Sequence, residues 1–172
     1  MNLTEAKARF IADWGRFGTN WGINRTMAQI HALLLVSPDP LGAEDVMEEL
    51  NISRGNSNMN LRELIDWGLV QKVLIPGERR EFFIAEKDIW KVARQIVKER
   101  KKRELDQMIP VLKELSEVEG DRRDKAVKTF TDTIQNIRKF SDQADRTLDT
   151  MIKADEHWFV GTLVKLFGGK SA

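Results

Sequence analysis

From Ser53 to Arg62 the chain reads Ser-Arg-Gly-Asn-Ser-Asn-Met-Asn-Leu-Arg: two Ser, three Asn and two Arg, with no acid. Ser53, Arg54, Asn56, Ser57, Asn58, Asn60 and Arg62 are all short or fork-shaped hydrogen bonders. Against the edges of base pairs, Asn suits adenine, Arg suits guanine, and Ser suits a base or a phosphate. A carboxylate in such a stretch would repel phosphate, and the segment just before it carries four: Glu44, Asp45, Glu48 and Glu49. A solvated helix start, with Ser and Asn acting as caps, accounts for the same composition without any ligand. Gly55 fits either close approach to a partner's backbone or a relaxed turn.

Two further basic groups follow. Arg79 and Arg80 stand beside Pro76-Gly77 at a turn, where they are placed to meet phosphate or a minor groove, although Glu78 and Glu81 soften the local field. Lys72 is a weaker candidate for the same role. The run Lys98, Arg100, Lys101, Lys102 and Arg103 is interrupted by Glu99 and Glu104, and a helix would spread it around its circumference, so it reads as a solvated face. Net charge is +1 and does not by itself point to a polyanion; residues 1–90 sum to −3 and residues 91–172 to +4. Attraction to nucleic acid must therefore come from local patches.

Other chemistries lack their parts. There is no cysteine, which removes thiol catalysis, disulfides and cysteine-based zinc sites. His31 and His157 lie far apart, and neither belongs to a metal-binding run, so no metal or cofactor is expected. The carboxylates meet no nucleophile or glycine-rich phosphate loop. Gly168-Gly169-Lys170-Ser171 lacks the strand before and the helix after that a phosphate-binding loop requires. No catalysis is expected. The longest apolar run, Ala32 to Val36, is too short for a bilayer, and MNLTEAKARF places charges where a signal peptide has its apolar core. A cytoplasmic location and no membrane partner are expected.

The surrounding elements must position these residues. Helical spacing predicts a helix over 4–20 capped by Thr4, and a second from about 24 or 25 to Val36, stopped by Ser37-Pro38-Asp39-Pro40. A short helix over 43–50, a tight junction at Asn51-Ile52-Ser53, and a helix over 54–67 ended by Gly68 come next. Met59, Leu61, Leu64, Ile65 and Trp67 give that helix its apolar side. The period then becomes strand-like over 69–75 and 80–84, with a turn at 76–79. Helix, sharp turn, helix, hairpin is the order of a winged helix-turn-helix. A long helix over 87–115, kinked or divided at Pro110, a break at Gly120-Asp121, a helix over 122–153 and a short one over 156–167 complete the chain.

A single reading helix buries little surface, and two-fold symmetry would double it over a palindromic operator. Phe130, Ile134, Ile137, Ser141, Ala144, Leu148 and Met151 follow alternating steps of four and three, a heptad seam suited to dimerisation. Folding of 122–153 against 90–115 within one chain accounts for the same seam. Phe10, Trp14 and Phe17 on the first helix are further dimerisation candidates. Trp14, Phe17 and Trp21 are candidates for lining a pocket, where aromatic faces would suit a quaternary ammonium compound. Core packing explains aromatics at this spacing equally well, and His31 reads as a hydrogen-bonded helix residue.

These segments carry a resemblance. Trp21 to Leu35, Ser37 to Leu41, Leu50 to Ser57 and Leu61 to Val70, in that order and without an obvious gap, resemble the MarR-type winged-helix regulators, in particular the GbsR-like repressors of glycine betaine synthesis. The resemblance implies a mainly α protein with a small β-hairpin wing. It implies a homodimer of interlocked terminal helices, with Ser53 to Arg62 as the recognition helix and Arg79 and Arg80 on the wing. Some GbsR-like members respond to choline, which implies a small-molecule effector site; Trp14, Phe17 and Trp21 map to it loosely, and the region after Gly120 matches less. The expected organisation is a dimerisation helix over 1–24, a winged helix-turn-helix over 25–89 and a helical dimerisation region over 90–172. The leading expectation is a repressor that binds double-stranded DNA. A winged-helix module that docks protein rather than DNA is the alternative.

Overall fold

A computed structural model of the chain describes residues 1–121 and 123–153; the expected helix over 156–167 lies outside them. Two compact units are present, Met1–Val92 and Ala93–Ala172. The first holds α1 (Leu3–Asn20), α2 (Arg25–Val36), β1 (Leu41–Gly42), α3 (Ala43–Leu50), α4 (Arg54–Asp66), β2 (Val70–Val73) and β3 (Phe82–Ala85). Helix α5 (Ile89–Arg100) leads into the second, which continues through a π-helical turn (Lys101–Leu105), α6 (Asp106–Leu115) and α7 (Lys125–Lys153). The protein is a mainly helical winged helix-turn-helix with a three-stranded antiparallel sheet.

Local chemistry explains most of these boundaries. α1 is capped by Asn2 rather than by Thr4: Asn2 Oδ1 accepts from Glu5 N at 2.9 Å and Glu5 Oε2 accepts from Asn2 N at 3.1 Å, a reciprocal pair that satisfies two orphan donors. Asn24 caps α2 by accepting from Met27 N at 3.1 Å. The other end of α2 is closed from a distance. Lys87 Nζ donates to the carbonyls of Leu34, Leu35 and Ser37 at 2.6, 2.8 and 2.8 Å, a cation placed where the helix dipole is negative. Burial pulls the Lys87 pKa below its usual value.

The helix-turn-helix junction is tight because Asn51 adopts the left-handed conformation at φ 50°, ψ 51°, and Ile52 N donates back to Met47 O at 3.1 Å. Ser53 then starts α4, its Oγ accepting from Asn56 N at 3.3 Å. At the other end Gly68, at φ 68°, lets Leu69 N reach Leu64 O at 3.0 Å, which turns the chain directly into β2.

β3 is the central strand. It pairs with β2 in the register Val70↔Ala85 to Val73↔Phe82, and with β1 at Leu41↔Phe83 and Gly42↔Phe82. The paired strands are shorter than their sequence patterns, which leaves residues 74–81 as the wing loop. Gly77, at φ 88°, follows Pro76, and Glu78 N donates to Ile75 O at 3.0 Å, a type II turn. α2 runs through the middle of this unit, packed on α1, α3, α4 and β3, and Ile30, Ala32, Val46, Leu61, Leu64 and Val70 fill the core.

In the second unit the break expected at Pro110 comes earlier. Asp106 N bonds to Lys101 O, the wider spacing of a π turn, and α6 then continues through Pro110. A helical proline crowds the carbonyl four residues before it, here that of Asp106, so the widened turn ends where the ring needs room. α7 begins at Lys125 after Asp124, whose side chain accepts from Ala126 N at 2.7 Å, and packs on α6 and the π turn.

Candidate nucleic-acid interface

With about 100° between successive residues, α4 must divide its polar residues between two faces. Leu61 and Leu64 are in the core, and Ser57 and Asn60 share that inner arc: both are 0% exposed. Neither Ser57 nor Asn60 can therefore touch a ligand at the surface, which corrects their place among the candidate contacts. Asn60 Nδ2 donates to Asn56 O at 2.8 Å and to Asn56 Oδ1 at 2.7 Å, so the Asn56 side chain is half-buried and engaged. The outward arc is Ser53, Arg54, Gly55, Asn58, Met59 and Arg62, all exposed. It carries no acid. A Cβ built on Gly55 would meet nothing within 4 Å, so packing does not require glycine there.

Met59 belongs to this outward arc and not to the apolar side, with 58% of its surface exposed. The helical wheel contains the signal: residue 59 follows Gly55 by one turn and precedes Arg62 by three residues, away from Leu61 and Leu64.

The basic residues differ in what holds them. Arg54 lies 3.5 Å from Glu44, and Lys72 2.8 Å from Glu81. Arg80 lies 3.6 Å from Glu78 and 4.0 Å from Asp45, with its guanidinium 4.9 Å from the centre of the Phe82 ring. Arg62 and Arg79 are exposed and form no ion pair among the described residues. Exposed pairs of this kind are worth at most about 1 kcal/mol, so a phosphate can compete for the arginines they restrain.

On α1, Phe10 and Trp14 are half-buried with ring centres 5.3 Å apart, and Trp14 lies 6.3 Å from His31. Phe17 and Trp21 are open to solvent, at 55% and 62% exposure. The first unit does contain a cleft of about 570 Å³, but it is lined from α1 by Lys7 and Ile11 and closed by Gln29, Asp39, Leu41 and Leu50. The three aromatic residues do not line it. His31 is buried with no hydrogen bond to Nε2, and burial, aided by the charge of Lys87, lowers its pKa to about 4.

The heptad seam of α7 splits. Ile134 and Ser141 are buried and Leu148 half-buried, whereas Phe130 and Ile137 are exposed and Ala144 and Met151 are half-buried. Phe140, next to Ser141, is also exposed, as are Met108, Val111 and Leu115 on α6. Lys101 is not on a solvated face. It is 12% exposed and holds Asp145 at 2.7 Å, Asp106 at 2.8 Å and Asp149 at 3.2 Å, and these hydrogen bonds raise its pKa. Spacing could not reveal this cluster, because Asp145 and Asp149 arrive from a helix distant in sequence. Among the described residues no group of three or more His, Cys, Asp or Glu is arranged to hold a metal ion, and no helix is long and apolar enough to cross a membrane.

No family model matches the chain, and no curated protein matches it. A solved structure described as the crystal structure of a transcriptional regulator is similar in fold, with a TM-score of 0.57 and 18% identity over 84% of this chain and 99% of that chain.

Proposed function

We propose that this chain is a homodimeric transcriptional regulator of the MarR type, resembling the GbsR-like repressors, that binds a palindromic double-stranded operator. The observation that carries the reading is the outward arc of α4. Ser53, Arg54, Asn58 and Arg62 stand together on the second helix of a helix-turn-helix, without an acid among them and beside a wing that bears Arg79 and Arg80. The N-terminal part of such a helix is the end that enters the major groove. A near-neutral chain gains little from long-range attraction, so two copies acting together best explain specific affinity. The exposed column Phe130 and Ile137, with Phe140, offers apolar surface for the second copy. Modulation by a quaternary ammonium compound would need that second copy as well, because one chain leaves Phe17 and Trp21 open.

The test is selection from random duplexes, followed by titration with wild type and Arg62→Ala. A two-fold symmetric consensus is expected, with discrimination at one position per half-site falling at least about tenfold in the variant. Equal binding of all duplexes at matched salt would refute specific reading.

The ion pairs of Arg54, Lys72 and Arg80 support a second reading, a winged module that docks a protein partner, since acids already occupy part of the basic surface. Saturable binding to a partner protein, with no preference among duplexes, would favour it.

A further inference from the structure

We infer that Met59 is a specificity determinant that reads thymine through its methyl group; the inference rests on the DNA-binding function proposed above. Leu61 and Leu64 of the same helix are buried to 1% exposure, whereas Met59 leaves 58% of its surface in solvent. Met59 is the one large apolar side chain on the outward arc, and its neighbours there are hydrogen bonders: Asn58 beside it and Arg62 three residues on.

Geometry gives the position its use. Side chains of an α-helix lean toward its N-terminus, so a long residue covers the surface one turn before its own Cα. For Met59 that surface is the turn of Gly55, yet nothing, the Met59 thioether included, stands within 4 Å of where a Cβ of residue 55 would be, and Met59 is 58% exposed. The thioether therefore faces open space on the N-terminal half of α4, the part placed to enter a major groove. A thioether donates no hydrogen bond and accepts weakly, so it cannot distinguish bases by polar pairing. The one apolar feature that base pairs present in the major groove is the C5-methyl of thymine. Burying that methyl against an unbranched, adaptable side chain is the readout this residue type can perform, and Asn58 and Arg62 supply polar contacts at adjoining positions.

The experiment uses the full chain and the duplex chosen from a random pool. Each thymine of the half-site is replaced in turn by deoxyuridine, which removes only the methyl group. One position per half-site is expected to weaken wild-type binding about three- to fivefold, the worth of one buried methyl group. Met59→Ala should bind the parent duplex more weakly and no longer distinguish thymine from uracil at that position. Its helical content and oligomeric mass should match wild type, since the residue is exposed. If wild type selects a consensus but every uracil duplex binds as the parent does, or if Met59→Ala keeps the discrimination, Met59 is an ordinary surface residue and the inference fails while the DNA reading stands. If no sequence is selected at all, both fail.

Discussion

Acidification should destabilise this protein through His31, and the size of the effect follows from its surroundings. The imidazole is buried, Nε2 has no hydrogen-bond partner, and Lys87 adds a positive charge nearby; its pKa is lowered from 6.5 to about 4. A depressed pKa means that the unfolded state takes up the proton first. The stability contributed by neutral, buried His31 is thus complete above pH 6.5 and is lost as pH falls toward about 4. A gap of this size corresponds to roughly 3 kcal/mol in full, of which about 2 kcal/mol is lost between pH 7.5 and 5. His31→Phe keeps an aromatic ring beside Trp14 and removes the titration. Urea unfolding followed by tryptophan fluorescence, at fixed protein concentration and several pH values, measures the difference. Wild type should lose about 2 kcal/mol more than the variant over that range; parallel profiles would refute the account of a neutral buried imidazole.

Four further outcomes are expected. Ser57→Ala should leave DNA affinity unchanged and stability near wild type, because the buried hydroxyl has no partner, whereas Asn58→Ala should cost about tenfold in a duplex titration; the reverse pattern would place the reading arc on the wrong side of α4. Arg79→Ala should reduce the slope of log affinity against log salt by about one per wing contact without altering thermal unfolding. Arg80→Ala should also lower the thermal midpoint slightly, since Arg80 covers Phe82 and meets Asp45 and Glu78. Lys101→Met should destabilise by about 1–2 kcal/mol at neutral pH, because Asp106, Asp145 and Asp149 lose their shared cation while solvent screens part of the loss. Urea unfolding at fixed protein concentration measures the deficit, and a variant as stable as wild type would refute the account.

Much of this molecule is determined by short-range pattern. The bounds of α3, the Ser53 cap, the turn out of α4 at Gly68 and the Pro76-Gly77 wing turn all follow from side-chain and backbone preferences within a few residues, and together they specify the winged helix-turn-helix. The acid-free stretch that ends at Arg62 is legible in the same way. What the chain order alone does not contain is which side of each element faces inward. β1 has only two residues and no period, so it exists as a strand through its pairing with β3. Packing of α4 on α2 and α3 buried Ser57 and Asn60, left Asn56 half-buried and turned Met59 outward, dividing the seven polar candidates between surface and interior. The fold of α7 onto α6 drew Lys101 to Asp145 and Asp149 and left Phe130 and Ile137 of the heptad seam exposed. Hydrogen bonds to the next turn are local and can be read from sequence; burial depends on partners tens of residues away, and only the tertiary structure supplies them.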